Sequence, residues 1–425
     1  MGRAYSRAAA KNLCPKGGSP VASPHQIAVR SNSKLKTQNA KLQKLVPLLL
    51  NWFSPNARDL PWRRTRDPYA IWVSEIMLQQ TQVKTVIPYW QHWMRELPTI
   101  KSVAKASPDR IHKLWEGLGY YTRARNLQKT ARQIVARHGG RFPRNFDDVL
   151  ALPGIGRYTA GAICSIAFNQ PKPILDGNVI RVLTRVFGIA ENPKKKTTNT
   201  RLWKLAEDLV LIAGGARLCR AEISFAGNPV TSKRSHGSTE SRPTENTNCS
   251  FLNQSLMELG ALVCTPRNPL CPVCPAKTLC VAFKEKRIAE LPNPGQRAPA
   301  TARNFIAFIV ERNGRFLVRQ RPAGVVNAHL WEFPNVEILN GKFNPTFTAK
   351  KALGIEPPKI KPLCTVKHSI TRYRITLDAF GVQLKKPPGK AAGIWRTPAQ
   401  MRRLAFTAAH KKLASLAAHR ILSDR

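Results

Sequence analysis

The feature that most constrains this fold is a run of four cysteines, Cys264, Cys271, Cys274 and Cys280, separated by six, two and five residues. Thiolates at this spacing can converge on one metal centre, either a zinc ion or an iron–sulfur cluster. Tetrathiolate zinc sites more often use two CxxC pairs far apart in sequence, whereas here only Cys271 and Cys274 form such a pair. The alternative is unrelated buried or disulfide-bonded cysteines, but no other cysteines in the sequence cluster.

The charge of the chain indicates a nucleic-acid partner. The 425 residues include 69 Lys and Arg against 24 Asp and Glu, which gives a formal net charge of +45. Phosphate backbones attract such a surface, and binding should weaken steeply with salt. The excess is spread along the whole sequence, so a basic tail alone does not explain it. No apolar run is long enough to span a membrane, and we expect no membrane partner.

Residues 1–40 contain no acidic side chain, and the first acid is Asp59. The segment has no apolar period and is rich in Ser, Ala, Lys and Arg, which is typical of a disordered basic arm. It also resembles an organelle transit peptide, and a wrongly assigned start codon would explain it equally well.

The remaining five cysteines lie far apart, and the chain has no secretory signal. We therefore expect free thiols in a reducing compartment, and an intracellular, DNA-associated protein. These cysteines are Cys14, Cys164, Cys219, Cys249 and Cys364.

Residues 41–290 read as one all-α domain. Apolar residues recur at helical spacing, and short Gly- and Pro-bearing turns separate the helices. Residues 214–250 interrupt the pattern with a polar, aperiodic stretch, which is either an insertion or translated non-coding sequence. Helical spacing resumes at Phe251 and leads directly into the cysteine run at 264–280.

A second domain follows a Pro-rich linker at 291–302. Apolar residues alternate at Phe305, Ala307 and Ile309, which is the spacing of a strand. Residues 303–425 therefore form a strand-rich α/β module, and we expect its final helix to run from near Pro398 to near Ile421.

Three features of the helical domain suggest chemistry on DNA. The segment LPGIGRYTAGA, with Gly154 and Gly156, predicts a hairpin whose backbone N–H groups bind a phosphate, although a plain helix–helix turn would also explain it. Asp176 precedes a helix, where it is also a favoured N-cap. Glu75 lies inside a mostly apolar helix, so its carboxylate is either paired with a basic residue or has a raised pKa. One protonated and one ionised carboxylate are what glycosidic-bond cleavage needs.

Six segments together resemble the A/G-specific adenine DNA glycosylases of the MutY family, in the order that family shows. The resemblance covers about residues 45–290 apart from the insertion, and it implies an all-α helix-hairpin-helix domain with a 4Fe–4S cluster on the four cysteines. It implies a monomer that acts on double-stranded DNA at adenine opposite 8-oxoguanine or guanine. The segments are DPYAIWVSEIMLQQTQVKTVIPY, LWEGLGYYTRARNL, LPGIGRYTAGAI, ILDGNVIRVLTR, NQSLMELGALVC and the cysteine loop.

The resemblance also implies roles for individual residues. Glu75 would protonate adenine N7, Asp176 would stabilise the sugar cation or bond to it, and Tyr158 and Asn178 would orient Asp176 and water. The endonuclease III branch carries Gln in place of Glu75 and a Schiff-base lysine in place of Tyr158, so strand scission is not expected here.

Further positions match family residues that contact DNA. Trp62 and Arg63 would line the adenine pocket, and Gln254 would contact the flipped adenine. The residues that would wedge into the duplex are Gln80, Thr81, Leu118 and Tyr120, of which Leu118 could instead belong to the core.

The C-terminal module resembles the Nudix-like domain with which MutY proteins recognise 8-oxoguanine. Its HLWEFPNVE segment matches the LWEFP signature of that domain. The stretch TAKKALGI has no acid where Nudix hydrolases carry a metal-binding glutamate helix, so nucleotide hydrolysis is not expected. The recognition loop departs from the commoner family pattern, since Ile370 replaces a Phe wedge and Arg372 a second His, while His368 and the Thr371 hydroxyl remain.

Two rival functions follow from the same residues. A catalytically inactive DNA-binding protein would use the basic surface and the hairpin alone, but Glu75 together with Asp176 favours an enzyme. A Nudix-type nucleotide hydrolase is disfavoured by the acid-free TAKKALGI stretch.

Overall fold

The computed structural model describes residues 24–215, 248–296, 299–339, 343–354, 357, 359–370, 372–384 and 393–423. Most of the predicted insertion, residues 216–247, therefore lies outside the described residues, as do residues 1–23, Cys14, Cys219 and Thr371. None of the described helices combines the length and apolar character that crossing a membrane requires.

The N-terminal domain is helical, as predicted. Short 3₁₀ turns at Pro61–Arg63, Cys271–Val273 and Lys277–Leu279 connect some of its helices. The helices are α1 (Pro24–Asn56), α2 (Pro68–Leu78), α3 (Val83–Glu96), α4 (Ile100–Lys105), α5 (Pro108–Leu114), α6 (Thr122–His138), α7 (Phe146–Leu150), α8 (Arg157–Phe168), α9 (Gly177–Phe187), α10 (Lys196–Gly215), α11 (Cys249–Leu262) and α12 (Val281–Lys284).

Helix α1 begins at Pro24, inside the segment 1–40 that the sequence predicted to be disordered. Lys, Gln, Ala and Leu are good helix formers, so the chain can extend the helix ahead of its buried part. From Leu42 onward the helix packs into the domain, with Leu42, Leu45 and Leu49 fully buried. Over residues 24–40 the structure thus has helix where the sequence predicted a disordered arm.

Helix α2 lies between the two hydrophobic cores of this domain. Trp72 and Val73 belong to one core, whereas Ile71 belongs to the other. A helix that is apolar all round has to be buried, and residues 69–77 are all buried. Because Glu75 is part of this helix, its carboxylate is carried into the protein interior.

The C-terminal domain is an α/β module around a sheet with strand order β3-β2-β1-β6-β5, in which β4 also pairs with β1 and β7 with β2. The pairing of β1 with β6 is parallel, and that of β5 with β6 is antiparallel. The elements are β1 (Thr301–Arg312), β2 (Arg315–Gln320), β3 (Trp331–Glu332), β4 (Asn335–Ile338), α13 (Pro345–Leu353), β5 (Ile360–Ile370), β6 (Tyr373–Gln383), β7 (Ile394–Arg396), α14 (Pro398–Met401) and α15 (Ala408–Ser423).

Both faces of strand β1 are buried, whereas the alternation of Phe305, Ala307 and Ile309 had accounted for one face only. Ala307 and Ile309 pack into one hydrophobic core, and Ile306 and Phe308 pack into another on the opposite face. A sheet covered on both faces favours near-continuous apolar strands, and the segment FIAFIV in β1 is such a run.

The predicted final helix is divided into α14 and α15. Thr397 caps α14 through a capping box with Gln400, but the helix ends at Met401. The backbone that follows pairs with β3 instead, since the Trp331 N–H donates to Ala405 O and the Thr407 N–H donates to Trp331 O. Backbone groups engaged in this bridge cannot also form helical hydrogen bonds.

The two domains share a packed interface at the end of α5. Leu330 and Ala405 of the C-terminal domain are buried in the larger hydrophobic core of the helical domain. Beside them, the buried Glu116 carboxylate accepts hydrogen bonds from the Phe406 N–H at 3.0 Å and from Lys411 Nζ at 3.0 Å. Lys113 Nζ lies 2.8 Å from the same carboxylate and also donates to the Leu404 carbonyl of the C-terminal domain.

We predict that Glu116→Ala loosens the docking of the two domains. The substitution leaves the Phe406 N–H and two ammonium groups without their acceptor, so the free energy of unfolding should fall by about 1–3 kcal/mol. Hydrogen exchange at the Phe406 amide should become faster. Glu207→Gln, which affects a pair confined to α10, is the control and should change neither quantity. Unchanged exchange at Phe406 in Glu116→Ala would contradict the interface.

Candidate active site

A cavity of about 510 Å³ lies between α2, α8, α9 and α11 in the helical domain. Its wall combines carboxylates, amides and aromatic side chains. It brings together nine of the residues that the sequence singled out, namely Trp62, Arg63, Glu75, Gln80, Thr81, Tyr158, Asp176, Asn178 and Gln254.

Glu75 is the most buried carboxylate lining this cavity apart from Glu258, with 5% of its surface exposed. Burial raises the pKa of Glu75 from 4.5 to about 7; the Tyr158 hydrogen bond opposes this shift and the nearby Asp176 adds to it. A carboxyl with this pKa holds a proton near neutral pH and can donate it as a general acid.

The Tyr158 hydroxyl donates to Glu75 Oε2 at 2.7 Å, and it also lies 3.4 Å from Met257 Sδ. The sequence reading assigned this tyrosine to Asp176 instead. Tyr158 is in the first turn of α8, which packs against α2, so its hydroxyl meets the carboxyl on that neighbouring helix. In the free protein Tyr158 therefore orients Glu75.

Asp176 is the N-cap of α9, and this structural role accompanies its place in the cavity. Its Oδ1 accepts from the Val179 N–H at 2.7 Å, and its Oδ2 accepts from Asn178 Nδ2 at 2.9 Å. Burial raises the pKa of Asp176, and these hydrogen bonds oppose the shift because they favour the ionised form. The prediction that Asn178 orients this carboxylate agrees with the hydrogen bond.

The approach to Asp176 depends on a glycine in α8. A Cβ at Gly161 would lie 2.1 Å from the Pro173 carbonyl oxygen, so no larger residue fits there without a backbone shift. The close approach lets the extended segment before α9 lie against α8. It thereby sets the position of Asp176 relative to Tyr158.

Sequence reasoning missed a second buried carboxylate, Glu258, and its partner Arg58. Glu258 Oε1 accepts from Arg58 Nε at 2.8 Å, and Oε2 accepts from Arg63 Nη2 at 2.8 Å. Burial alone would raise the pKa of Glu258, but the two guanidinium groups outweigh it and lower the pKa to about 2. The signal was present in the sequence, since Glu258 lies within the apolar segment SLMELGAL just as Glu75 lies in an apolar helix.

The four predicted wedge residues lie on two loops and differ in exposure. Gln80 and Tyr120 both have left-handed backbone conformations, with φ of 56° and 47°. Tyr120 is 41% exposed, but Leu118 is only 6% exposed and is part of the core. Gln80 and Thr81 line the cavity, whereas Leu118 and Tyr120 do not.

The predicted hairpin is formed by α7, the turn that follows it and α8. Gly154 adopts φ of +74°, a conformation that favours glycine. Gly156 is the N-cap of α8 and supplies no side-chain cap, so the first N–H groups of the helix keep their capacity to bind an anion. The Arg157 guanidinium lies 4.1 Å from the Trp203 ring centroid beside this turn.

The four clustered cysteines line one cavity beside α9 and α11. Burial raises the pKa values of Cys271, Cys274 and Cys280, and the charge of Cys264 adds to each shift. Within the described ranges, no three ligating side chains are already arranged around a single ion. The four thiols nevertheless line the same apolar pocket, and a set of four thiols is the donor set that a thiolate-bound metal cluster uses.

Other cysteines agree with the prediction of free thiols where they are described. Cys164, Cys249 and Cys364 form no disulfide. Cys164 and Cys249 are buried, and burial raises the pKa of each thiol to about 11, which keeps it protonated and unreactive.

The predicted lesion-recognition residues lie at the end of β5, away from the cavity lining. His368 pairs with Ile375 and Ile370 with Tyr373 across the hairpin. Burial lowers the pKa of His368, and its Nδ1 has no hydrogen-bond partner among the described residues. The acid-free TAKKALGI stretch begins inside α13 and continues past its end at Leu353.

We predict that Glu75 makes the protein less stable as pH rises. Its pKa is about 7 in the folded protein and near 4.5 when unfolded, so the folded state holds the proton between these values. The contribution of protonated Glu75 to the free energy of unfolding is fully present below pH 4.5. It is lost as pH rises through 7, and the loss amounts to up to about 3 kcal/mol. Unfolding free energies of wild type and Glu75→Gln, measured across this window, give the difference. A pH-independent difference would contradict the shifted pKa.

Two family models match this chain, one in each domain. The model of the HhH-GPD superfamily of base excision DNA repair proteins matches residues 73–208, and that of the NUDIX domain matches residues 306–416. A solved thermostable thymine-DNA glycosylase is 29% identical and covers 58% of this chain and 98% of its own, with a TM-score of 0.47.

Curated relatives match most of the chain. The human adenine DNA glycosylase is 34% identical over 86% of this chain and 72% of its own length. The adenine DNA glycosylase of Buchnera aphidicola subsp. Schizaphis graminum is 36% identical over 68% of this chain and 74% of its own length. With a helical repair domain, a C-terminal Nudix domain and these relatives, the chain belongs to the adenine DNA glycosylase family.

Proposed function

We propose that this protein is a base-excision-repair glycosylase that hydrolyses the N-glycosidic bond of adenine mispaired with 8-oxoguanine or guanine. The observation that carries the proposal is a pair of carboxylates in one cavity, the buried Glu75 with a pKa of about 7 and the half-buried Asp176, held by donors that favour its ionised form. One carboxyl that keeps a proton and one that stabilises positive charge are the two groups this cleavage requires.

Adenine is a poor leaving group unless it is protonated. In the proposed mechanism the adenine is turned out of the duplex into the cavity, and Glu75 donates its proton to N7. As the bond breaks, positive charge develops on the sugar, and Asp176 either stabilises this cation or bonds to it covalently. Water then completes the hydrolysis, with Asn178 holding Asp176 in place.

The remaining residues of the cavity bind the base. Trp62 supplies an apolar wall, and Gln254 supplies an amide for the adenine edge. Arg63 is fixed by Glu258, so its guanidinium is held in one orientation beside Glu75. The adenine would therefore meet a guanidinium that is already held in position by another side chain of the protein.

The reaction stops at an abasic strand. Strand scission by a glycosylase needs an amine that attacks the sugar carbon, and Tyr158 occupies the position where the lyase branch carries that lysine. The Tyr158 hydroxyl is instead committed to Glu75.

Cys264, Cys271, Cys274 and Cys280 would hold a 4Fe–4S cluster. Such a cluster would tie the segments that carry these cysteines together through iron–thiolate bonds, and it would support a surface that docks on DNA. Arg185 supports the loop, since its guanidinium donates to the Thr265 carbonyl at 2.8 Å and lies 3.5 Å from Cys264 Sγ.

The C-terminal module would read the opposite base. Strands β5 and β6 carry His368 and Ile370 at their paired ends, and the bond from Phe406 to Glu116 docks the module against the helical domain. Thr371 would supply a hydroxyl for hydrogen bonding. A glycosylase that removes a normal base must check the partner base, or it would damage correct A·T pairs. The protein would act on double-stranded DNA as a monomer inside the cell, and its basic surface would supply most of the affinity.

We predict that Glu75→Gln and Asp176→Asn abolish excision while leaving DNA affinity within about threefold, because each removes one catalytic group and no net bulk. Single-turnover rates on a duplex with adenine opposite 8-oxoguanine, followed by alkali cleavage, measure the first effect, and fluorescence anisotropy measures the second. Glu207→Gln, which alters an exposed carboxylate in α10, is the control. A near-normal rate in either variant would refute the assignment and favour a binding protein whose carboxylates are structural.

We predict four irons and no stoichiometric zinc in anaerobically purified protein, because four thiolates at this compact spacing fit a 4Fe–4S cluster. Iron analysis and visible absorption test this expectation. Cys274→Ala should lose iron, whereas Cys164→Ala, which alters a buried thiol outside the cluster, should retain it. One zinc per chain with no iron would overturn the cluster.

A further inference from the structure

Arg123 is a buried cation in the first turn of α6, with 8% of its surface exposed. It lies in the segment YYTRARNL, and no role was predicted for it. Its guanidinium contacts three separate parts of the helical domain, and one of them, the Gln79–Thr81 turn, lines the active-site cavity.

The first two contacts are with the end of α2 and the turn that follows. Arg123 Nη1 donates to the carbonyls of Ile76 at 2.9 Å, Met77 at 2.9 Å and Gln79 at 2.6 Å. Both of its terminal nitrogens also lie 3.4 Å from Thr81 Oγ1. The guanidinium therefore caps the C-terminus of the helix that carries the catalytic acid, where a cation is favoured by the helix dipole.

The third contact is with the loop between α5 and α6. Arg123 Nη2 donates to the carbonyls of Leu118 at 3.0 Å and Gly119 at 3.1 Å. Arg123 Cζ lies 5.5 Å from the Tyr120 ring centroid and 5.3 Å from that of Trp115. One side chain thus holds both loops that carry the wedge residues.

The charge of Arg123 is used entirely for this purpose. Among the described residues no carboxylate forms an ion pair with it, and its acceptors are backbone carbonyls and one hydroxyl. Burial lowers its pKa to about 10, so it remains a cation at neutral pH. Hydrogen bonds from a charged donor are stronger than neutral ones, particularly away from water.

The loops that it joins are held in an unfavourable backbone conformation. Gln80 and Tyr120 have positive φ values, and each lies within four residues of a carbonyl bound by Arg123. Such conformations persist where the surroundings impose them, and they occur where a site is organised before its ligand arrives.

We propose that Arg123 is a positioning residue that joins the Gln79–Thr81 turn and the Leu118–Tyr120 loop into one rigid wedge, so that both enter the duplex together and the adenine is turned out toward Glu75. This inference rests on the proposed glycosylase function. It predicts that Arg123 acts on opening the duplex and has little effect on breaking the glycosidic bond.

Two substrates separate these steps. One is a duplex in which adenine lies opposite guanine between paired flanks, and the other places the adenine in a short unpaired bubble, where turning it out costs little. Arg123→Met keeps an unbranched apolar stem and removes the guanidinium with its charge, and Arg123→Lys keeps the charge with fewer donors. Gln128→Met is the control, since Gln128 is a buried donor on α6 that binds Ala106 O, remote from both loops.

We expect Arg123→Met to lower the single-turnover rate on the paired duplex by at least about tenfold more than on the bubble, because the preorganised wedge is lost. Arg123→Lys should show the same bias at about threefold, which keeps the test decisive if the methionine variant does not fold. Gln128→Met should lower the melting temperature without changing the ratio of the two rates. Equal losses on both substrates, or the same bias in Gln128→Met, would overturn the proposal.

A second measurement does not depend on excision. A duplex with 2-aminopurine in place of the adenine should gain fluorescence when wild-type protein binds, and this gain should be lost in Arg123→Met. If wild type gains fluorescence and Arg123→Met does not, but wild type excises no adenine from either substrate, the proposed function fails and the wedge stands. If excision is normal but the fluorescence gain is the same in wild type and Arg123→Met, the wedge fails and the function stands.

Discussion

The hydrogen bond between Tyr158 and Glu75 is the interaction on which the rest of the site depends. It joins α8 to α2 inside the protein, where the 2.7 Å contact satisfies a carboxyl that would otherwise be buried without a partner. Because α2 lies between the two hydrophobic cores, the domain cannot pack without burying this carboxyl. The packing that buries Glu75 therefore also prepares it for its proposed role as an acid. Desolvation raises the pKa of Glu75, and the raised pKa allows it to hold a proton.

The elements around this bond divide the remaining tasks. The N-terminus of α9 supplies Asp176, and the ion pairs of Glu258 with Arg58 and Arg63 close another side of the cavity. At the mouth, the loops bound by Arg123 lie next to the segment that carries Glu116, and Glu116 binds the C-terminal domain. The contact between domains and the proposed wedge are therefore only a few residues apart in the chain. A change in docking has a short path to the loops that meet DNA.

Much of this could be predicted from sequence where the signals are local. The bounds of α8, residues 157–168, and the strand character of residues 305–309 follow from periodicity and turn residues. The partner of Tyr158, the cavity role of Glu258 and the docking of Glu116 on Phe406 could not be predicted in this way. Each joins residues at least 83 positions apart, and spacing along the chain does not report which helices become neighbours. The prediction of one final helix was wrong for a related reason. Backbone pairing with Trp331 overrides helical spacing between α14 and α15.

The central claim is that a buried acid and its companion carboxylate remove adenine only where the opposite base marks an error. The most direct measurement is the rate at which the full-length wild-type protein releases adenine from otherwise identical duplexes with 8-oxoguanine, guanine or thymine opposite. The account predicts alkali-labile product opposite 8-oxoguanine and guanine, faster for 8-oxoguanine, and none above background opposite thymine. Equal release from all three duplexes, or no release from any, would contradict it.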